Sequence, residues 1–441
     1  MSAAGIDGAI RGQDPEGARH HCLDALDAGT PWLEIARVAA LAYGESAEVS
    51  PEFPPHGLIA LSAAVRLARH LPTKVQPLPV VEAVVVAARD AKLPRDGRRK
   101  SLKITGEISH LSHSFEYAVR AGAFDDAVSI YAGLLHEGKE RAMAGDALFR
   151  VAAEDMIAGG HKLVFAVAAW RLAGALGWKA GGLVMAPAVA FVASGIRDPA
   201  AFKAFMAVVG RDKMDLEAVA GNAMPADEAE RTALRTAMRA PSPDACAQGV
   251  VASLGRGMTL DNIASLAVEE ASARIDAAGL YDLPAVHGLI FADAARWVLK
   301  FSKTHTRIYP AVQACLLLQS LRREGGSPPT APGGDEFSLL DGILRAMESR
   351  KAQEASGLVR AYRAKGFPPL PLITLLGYEA CRDIQASEHN LELACAVADE
   401  VLVHRPPVPE GMAALARMLA LSPRERGAWP TLEKRFPLTF S

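Results

Sequence analysis

Four histidines carry the chemistry that this sequence offers. His56, His161, His287 and His389 each stand at the front of an alanine-rich apolar stretch, as in "AGGHKLVFAVAAWRLAGAL" from Ala158 to Leu176. His56 follows Pro54-Pro55, His161 follows Gly159-Gly160, and His287 follows Pro284 by three residues. After each histidine come two residues, then Ile, Leu or Val, then alanine-rich turns. Such a residue sits in or just before the first turn of a helix, where the positive end of the helix dipole disfavours a second proton. A neutral imidazole can ligate a metal, accept a proton, or donate one hydrogen bond to a developing oxyanion. The structural alternative is that each histidine merely caps its helix.

Asp155 and Asp383 lie six residues before His161 and His389. Six positions do not share a helical face, but "MIAGG" and "IQASE" read as turns that let each carboxylate fold back and orient its imidazole, with capping as the equal alternative. A further group, Glu107, His110, His113 and Glu116, is spaced by threes on one helical stripe. Glu-x-x-His is half of a di-iron carboxylate signature, but no second copy occurs. His113 and Glu116 are therefore candidates for a cavity edge, or part of a solvated face. Arg66, Arg171 and Arg296 follow their histidines by nine or ten residues and read as cations suited to the far helix ends.

The elements that must position these residues are helices. Apolar residues recur three and four apart, and half the chain is hydrophobic while 6% is aromatic, which calls for a core of Ala, Leu and Val and an all-α fold. The chain repeats itself. Ala118–Ala168 aligns with Ala346–Ala396 without a gap at a shift of 228, placing Asp155 on Asp383 and His161 on His389. "HGLI" at His56–Ile59 returns at His287–Ile290, a shift of 231. Leu26, Gly29 and Ile35 fall on Leu254, Gly257 and Ile263, again at 228. We therefore expect an internal duplication: a first helical repeat within 1–196, a connector with short helices over 197–249, and a second repeat within 250–441. The two would pack as one body around a pseudo-two-fold axis, with the histidines meeting in a shared cleft. The charged and Pro/Gly-rich stretches Arg89–Lys103 and Arg322–Phe337 read as exposed loops.

Several functional classes are disfavoured. With 48 basic and 50 acidic residues the net charge is −2, so no global field attracts nucleic acid or an anionic membrane. The longest uncharged run, Ala180–Ile196, contains Pro187 and falls short of a spanning helix. Five cysteines without a CxxC pair point away from a disulfide framework and toward a cytoplasmic setting. No nicotinamide or flavin fingerprint, Walker loop or nucleophile elbow occurs.

At "AGGHKLVFAVAAWRLAGALGW", "AVHGLIFADAARWVLKF" and "DIQASEHNLELACAVADEVL" the chain resembles the questin oxidase-like family of helical, histidine-punctuated proteins. The resemblance implies an oxidoreductase of Baeyer–Villiger type that inserts oxygen beside a ketone in a polycyclic substrate. His56, His161, His287 and His389 match its histidine-led helices, and no settled cofactor comes with it. The leading expectation is an oxidoreductase acting on a ketonic or phenolic small molecule, with a redox partner protein if it turns over. The histidines would hold one transition metal, iron first, or act without a cofactor. The alternatives are a non-catalytic helical scaffold, or a metal-binding protein without turnover. A scaffold predicts repeats of about 34–47 residues, and only the period near 230 is found.

Overall fold

A computed structural model describes all residues except 1, 48–53, 92–103, 137–140, 225, 322–332, 383–386, 423–427 and 439–441. Most of the two stretches read as loops, and Asp383, lie outside the described residues. Among those described, the chain forms 23 α-helices, and the one extended pairing is an isolated bridge between Met224 and Met258. The fold is all-α. No helix among the described residues is long and apolar enough to cross a membrane, and the uncharged run became the buried helix Gly181–Ala193.

Four helices make the centre: His56–Ala68, Ile157–Ala175, Leu283–Phe301 and Ser387–Leu402. We name each by its histidine. The His56 helix packs on the His161 helix, that on the His287 helix, that on the His389 helix, and the last packs back on the first, closing a ring. Two layers of contacts give the direction of the helices. The four imidazoles meet at one end. About ten residues further along, Arg66, Arg171 and Asp399 meet at the other. The four helices therefore run parallel, and four helix dipoles point the same way. That arrangement repels itself unless charge compensates it; Arg66 and Lys300 place cations in the last turns of the His56 and His287 helices, while Arg171 and Arg296 stand short of the last turns of theirs.

Parallel neighbours need long returns. Between the His56 and His161 helices the chain passes through Pro77–Asp90, Ile108–Ala121, Phe124–Leu134 and Arg141–Ala153 before starting again at the same end. The second half follows the same itinerary. Helices Glu336–Glu348, Ala352–Ala364 and Pro369–Ala380 each begin 228 positions after Ile108, Phe124 and Arg141. The Ile108 helix packs on the Phe124 helix as the Glu336 helix packs on the Ala352 helix. The stretch 197–249 holds the short helices Ala200–Arg211, Leu216–Ala220 and Glu228–Ala237. Helix Pro243–Gly255 runs across the boundary drawn at residue 250, because Ser242 caps it by accepting the Ala245 N–H at 3.2 Å.

Glycines set how closely the core helices approach. In both copies of "HGLI" the glycine faces the next helix. A Cβ on Gly57 would lie 2.8 Å from the Ala87 Cα, and one on Gly288 would lie 3.1 Å from a Leu318 methyl. Ala87 and Leu318 are separated by 231 positions, as the two glycines are.

Candidate metal centre

Each histidine reaches the ring axis by its own local device. The His161 helix is entered through three consecutive left-handed residues, Ala158, Gly159 and Gly160, with φ of 50°, 72° and 81°. This conformation costs an alanine about 1–2 kcal/mol and a glycine little. The glycines are also needed for space: a Cβ on Gly159 would lie 3.1 Å from His287 Nδ1, and one on Gly160 would lie 2.4 Å from the Phe291 ring. The turn brings the Ala158 carbonyl under His161, which donates its Nδ1–H to it. A carbonyl oxygen can only accept, so the lone pair of His161 is on Nε2. The His287 helix begins with Asp282 accepting the Ala285 N–H at 3.1 Å and with Pro284 in its first turn. The His56 helix is held at its first turn by Asp90, which accepts the Gly57 N–H at 2.9 Å and also the Tyr43 hydroxyl.

The structure brings all four imidazoles together. Ring centroids lie 4.4 Å apart for His161 and His287, 5.0 Å for His287 and His389, 5.4 Å for His56 and His389, and 5.7 Å for His56 and His161. One nitrogen each from His56, His161 and His389 lies within 4.8 Å of the other two. Nε2 of His56, His287 and His389 is buried without a hydrogen-bond partner. Such unpaired buried nitrogens are costly. Phe165 closes one side, its ring 5.8 Å from His56 and 5.6 Å from His161.

Burial, reinforced by the neighbouring imidazoles, pushes His161 down to about 4 and His287 to about 2, and lowers His56 as well. His56, His161 and His287 are thus held toward the neutral form. The rings are too close together to admit a polycyclic molecule between them. His287 is not part of the trio, so the nitrogens of His56, His161 and His389 are the ones spaced closely enough to share a cation.

Asp155 does not orient His161. Its carboxylate accepts the N–H groups of Ile157 and Asp198, both at 3.0 Å, and pairs with Lys162 Nζ at 2.8 Å and Arg197 Nε at 3.5 Å. It ties the left-handed turn to the chain after residue 196, and the orienting acceptor is the Ala158 carbonyl instead. The carboxylate beside an imidazole is Glu388, whose Oε1 lies 3.6 Å from His389 Nδ1 while its Oε2 accepts from Arg89 at 2.8 Å. Burial raises the Glu388 carboxyl, but His389 and Arg89 outweigh it and bring it down to about 2. His113 is exposed and bonded to the Ser109 carbonyl at 2.8 Å. Glu116 is buried in an ion cluster with Arg150 and with Arg120 at 3.3 Å. Neither approaches the imidazoles through any contact.

At the opposite end of the ring, sequence reasoning found the arginines and missed their acids. Arg66 and Arg171 both pair with Asp399, the second at 2.7 Å, and Arg66 lies 3.3 Å from Asp293. His404 Nε2 lies 3.1 Å from Asp293, and Arg296 pairs with Glu400 while donating to the Pro406 carbonyl at 2.9 Å. Asp293, Glu400 and His404 have donor atoms close enough for a cation, but Arg66 pairs with Asp293, and burial together with Asp293 pushes the Glu400 carboxyl up to about 8 beside Arg296. Asp399 follows His389 by ten positions, as Arg66 and Arg171 follow theirs, and that spacing was the available signal.

No protein-family model, no curated protein and no solved structure matches this chain.

Proposed function

We propose that the protein is a metal-dependent oxidoreductase in which His56, His161, His287 and His389 hold one transition-metal ion, with iron the first choice. The observation that carries this reading is the trio of nitrogens within 4.8 Å of one another, together with buried, unpartnered Nε2 atoms in three of the four rings. Neutral imidazoles are ready ligands, and nothing has to deprotonate for a cation to bind. The ion would supply Lewis acidity and access to oxygen chemistry. The chain's own contribution is to fix His161 through Ala158 and His389 beside Glu388, so that ligand orientation is set before binding. The resemblance to the questin oxidase-like family motivates oxygen insertion beside a ketone of a small molecule, with electrons from a partner protein. Five free, buried cysteines agree with a reducing cytoplasm.

We take the two halves of the chain to be copies related by a pseudo-two-fold. The supporting facts are the helix starts 228 positions apart and the cyclic order of the four core helices, in which the two "HGLI" helices alternate with the other two.

Elemental analysis of protein grown with iron, zinc, copper and nickel tests the metal. About one equivalent in the parent, lost when His161→Ala and His389→Ala are combined, supports the site. Parent protein without stoichiometric metal defeats it. A second reading draws on the four converging helix N-termini: neutral imidazoles there would polarise a phenolic or ketonic substrate without a cofactor. Turnover that survives complete chelation would select it.

A further inference from the structure

The inward faces of the four core helices repeat one pattern. Counting from each histidine, positions three, seven and ten lie on the same helical face. Three positions on stand Ile59, Val164, Ile290 and Glu392. Seven on, all four helices carry alanine: Ala63, Ala168, Ala294 and Ala396. Ten on stand Arg66, Arg171, Trp297 and Asp399, joined by ion pairs and by the Arg171 guanidinium 5.8 Å from the Trp297 ring. The ring axis thus runs from a roof of imidazoles, through two layers of mostly small apolar side chains, to an ionic floor about 15 Å below.

Residual exposure follows this stripe on the His161 and His287 helices, whereas Ile59 and Ala63 on the His56 helix are fully buried. On the His161 helix, Val164 is 8% and Ala168 5% accessible, while Leu163, Phe165, Ala166 and Ala169 are at 0%. Ile290 and Ala294 on the His287 helix repeat the contrast with Leu289, Phe291, Ala292 and Ala295. Val164, Ala168, Ile290, Ala294 and Glu392 all keep some accessible surface and share the axial side of their helices, which points to a gap between the His161, His287 and His389 helices. Glu392 stands in that gap. It is 8% exposed and has no hydrogen-bond or ion-pair partner among the described residues. The charges that act on it include Arg66 and Asp293, on two other helices of the ring.

We propose that this axial hollow is a binding chamber for a small, uncharged, single-ring molecule bearing a hydroxyl group, which bonds to the Glu392 carboxyl. The walls are aliphatic, and an apolar cavity of about 150 Å³ is enough for a benzene ring. The floor has no spare charge, because Arg66 and Arg171 are spent on Asp399 and Asp293, so an anionic ligand gains nothing there. The two aliphatic layers lie about 6 Å apart along the axis, a spacing that suits one ring lying between them. The chamber deepens the proposed function by naming a substrate class beneath the histidine roof. It rests on that reading for turnover, and not for binding.

Calorimetric titration with phenol, cyclohexanol, toluene, benzoate and 2-naphthol, beside elemental analysis of the same protein, tests the chamber. Phenol and cyclohexanol are expected to bind, toluene about tenfold more weakly for want of the hydroxyl, and benzoate and naphthol not measurably. Glu392→Ala should bring phenol down to the level of toluene and leave toluene unchanged. Ala168→Leu should fill the hollow and abolish binding of both while metal content stays at the parent value. If that variant does not fold, the wild-type series and Glu392→Ala decide alone. Parent protein that binds neither phenol nor cyclohexanol at millimolar concentration, or prefers naphthol or benzoate, overturns the proposal. So does a Glu392→Ala variant that binds phenol like the parent. Metal without phenol binding sinks the chamber only, and phenol binding without metal sinks the metal site only.

Discussion

The two ends of the same four helices handle buried polarity in opposite ways. At the C-terminal end every strong charge has an opposite neighbour: Arg66 and Arg171 on Asp399, Arg296 on Glu400, His404 on Asp293. At the N-terminal end four imidazoles gather beside one ion pair, Glu388 with Arg89, and three of the four Nε2 atoms have nothing to bond. Opposite charges hold the C-terminal end together, although Arg66 Nε, Arg171 Nη1, Arg296 Nε, Glu400 Oε1 and His404 Nδ1 there make no hydrogen bond. Unpaired nitrogens cost stability and leave donor atoms available. The comparison separates an end held by opposite charges from an end where imidazole nitrogens gather without such pairing.

The largest effect should come from breaking the paired end. Asp399→Asn leaves two buried arginines sharing Asp293 and is expected to cost about 3–5 kcal/mol in urea unfolding. His56→Gln at the other end, which breaks no bond, should stay within about 1 kcal/mol of the parent. Similar losses in the two variants would erase the distinction.

Next is the turn that presents His161. Gly160→Ala forces a methyl against Phe291 at a φ of 81°, and should cost about 2–4 kcal/mol and displace the imidazole. A variant with parental stability would mean that the left-handed entry is not required.

Acid separates the ends. In the unfolded chain histidine titrates near 6.5, whereas folded His161 and His287 titrate near 4 and 2. Between pH 6.5 and about 4 the unfolded state binds protons that the folded state refuses, so stability falls as pH falls, by up to about 3 kcal/mol for each of the two histidines. Asp399 is held below its ordinary 3.8, burial being outweighed by Arg66, His70 and Arg171, so its contribution is lost only under stronger acid. Unfolding free energies of metal-free protein from pH 7 to 3 should therefore decline in two stages. A flat profile down to pH 4 would contradict neutral, buried imidazoles.

The smallest effect is expected at His113. Its exposed ring touches only its own helix, so His113→Ala should change stability by less than about 0.5 kcal/mol and leave metal content alone. Loss of metal in that variant would reopen the cavity-edge assignment.

What could be read from the sequence follows the same physics. The four histidines were legible because each opens an alanine-rich helix and keeps its spacing across the chain. The all-α class followed from that periodicity. The acceptor for His161 was not legible, since a backbone carbonyl at Ala158 has no residue type to announce it. Asp155 looked like that acceptor until the turn placed it against Lys162 and Arg197, the second from beyond the repeat. Glu388 was hidden by adjacency, because neighbours on a helix are not expected to meet. The acids of the ionic floor were hidden among alanines, although an aspartate on the buried face of an apolar helix, as at 293 and 399, is itself a signal that a cation lies opposite.

The central claim is that imidazoles from four parallel helices share one ion. X-ray absorption at the metal edge of the purified protein addresses it directly. The account predicts a first shell dominated by three or four imidazole nitrogens at about 2.0–2.1 Å, with the outer-ring scattering that histidine produces. An edge at background level, or a shell of oxygen or sulfur alone, would contradict it.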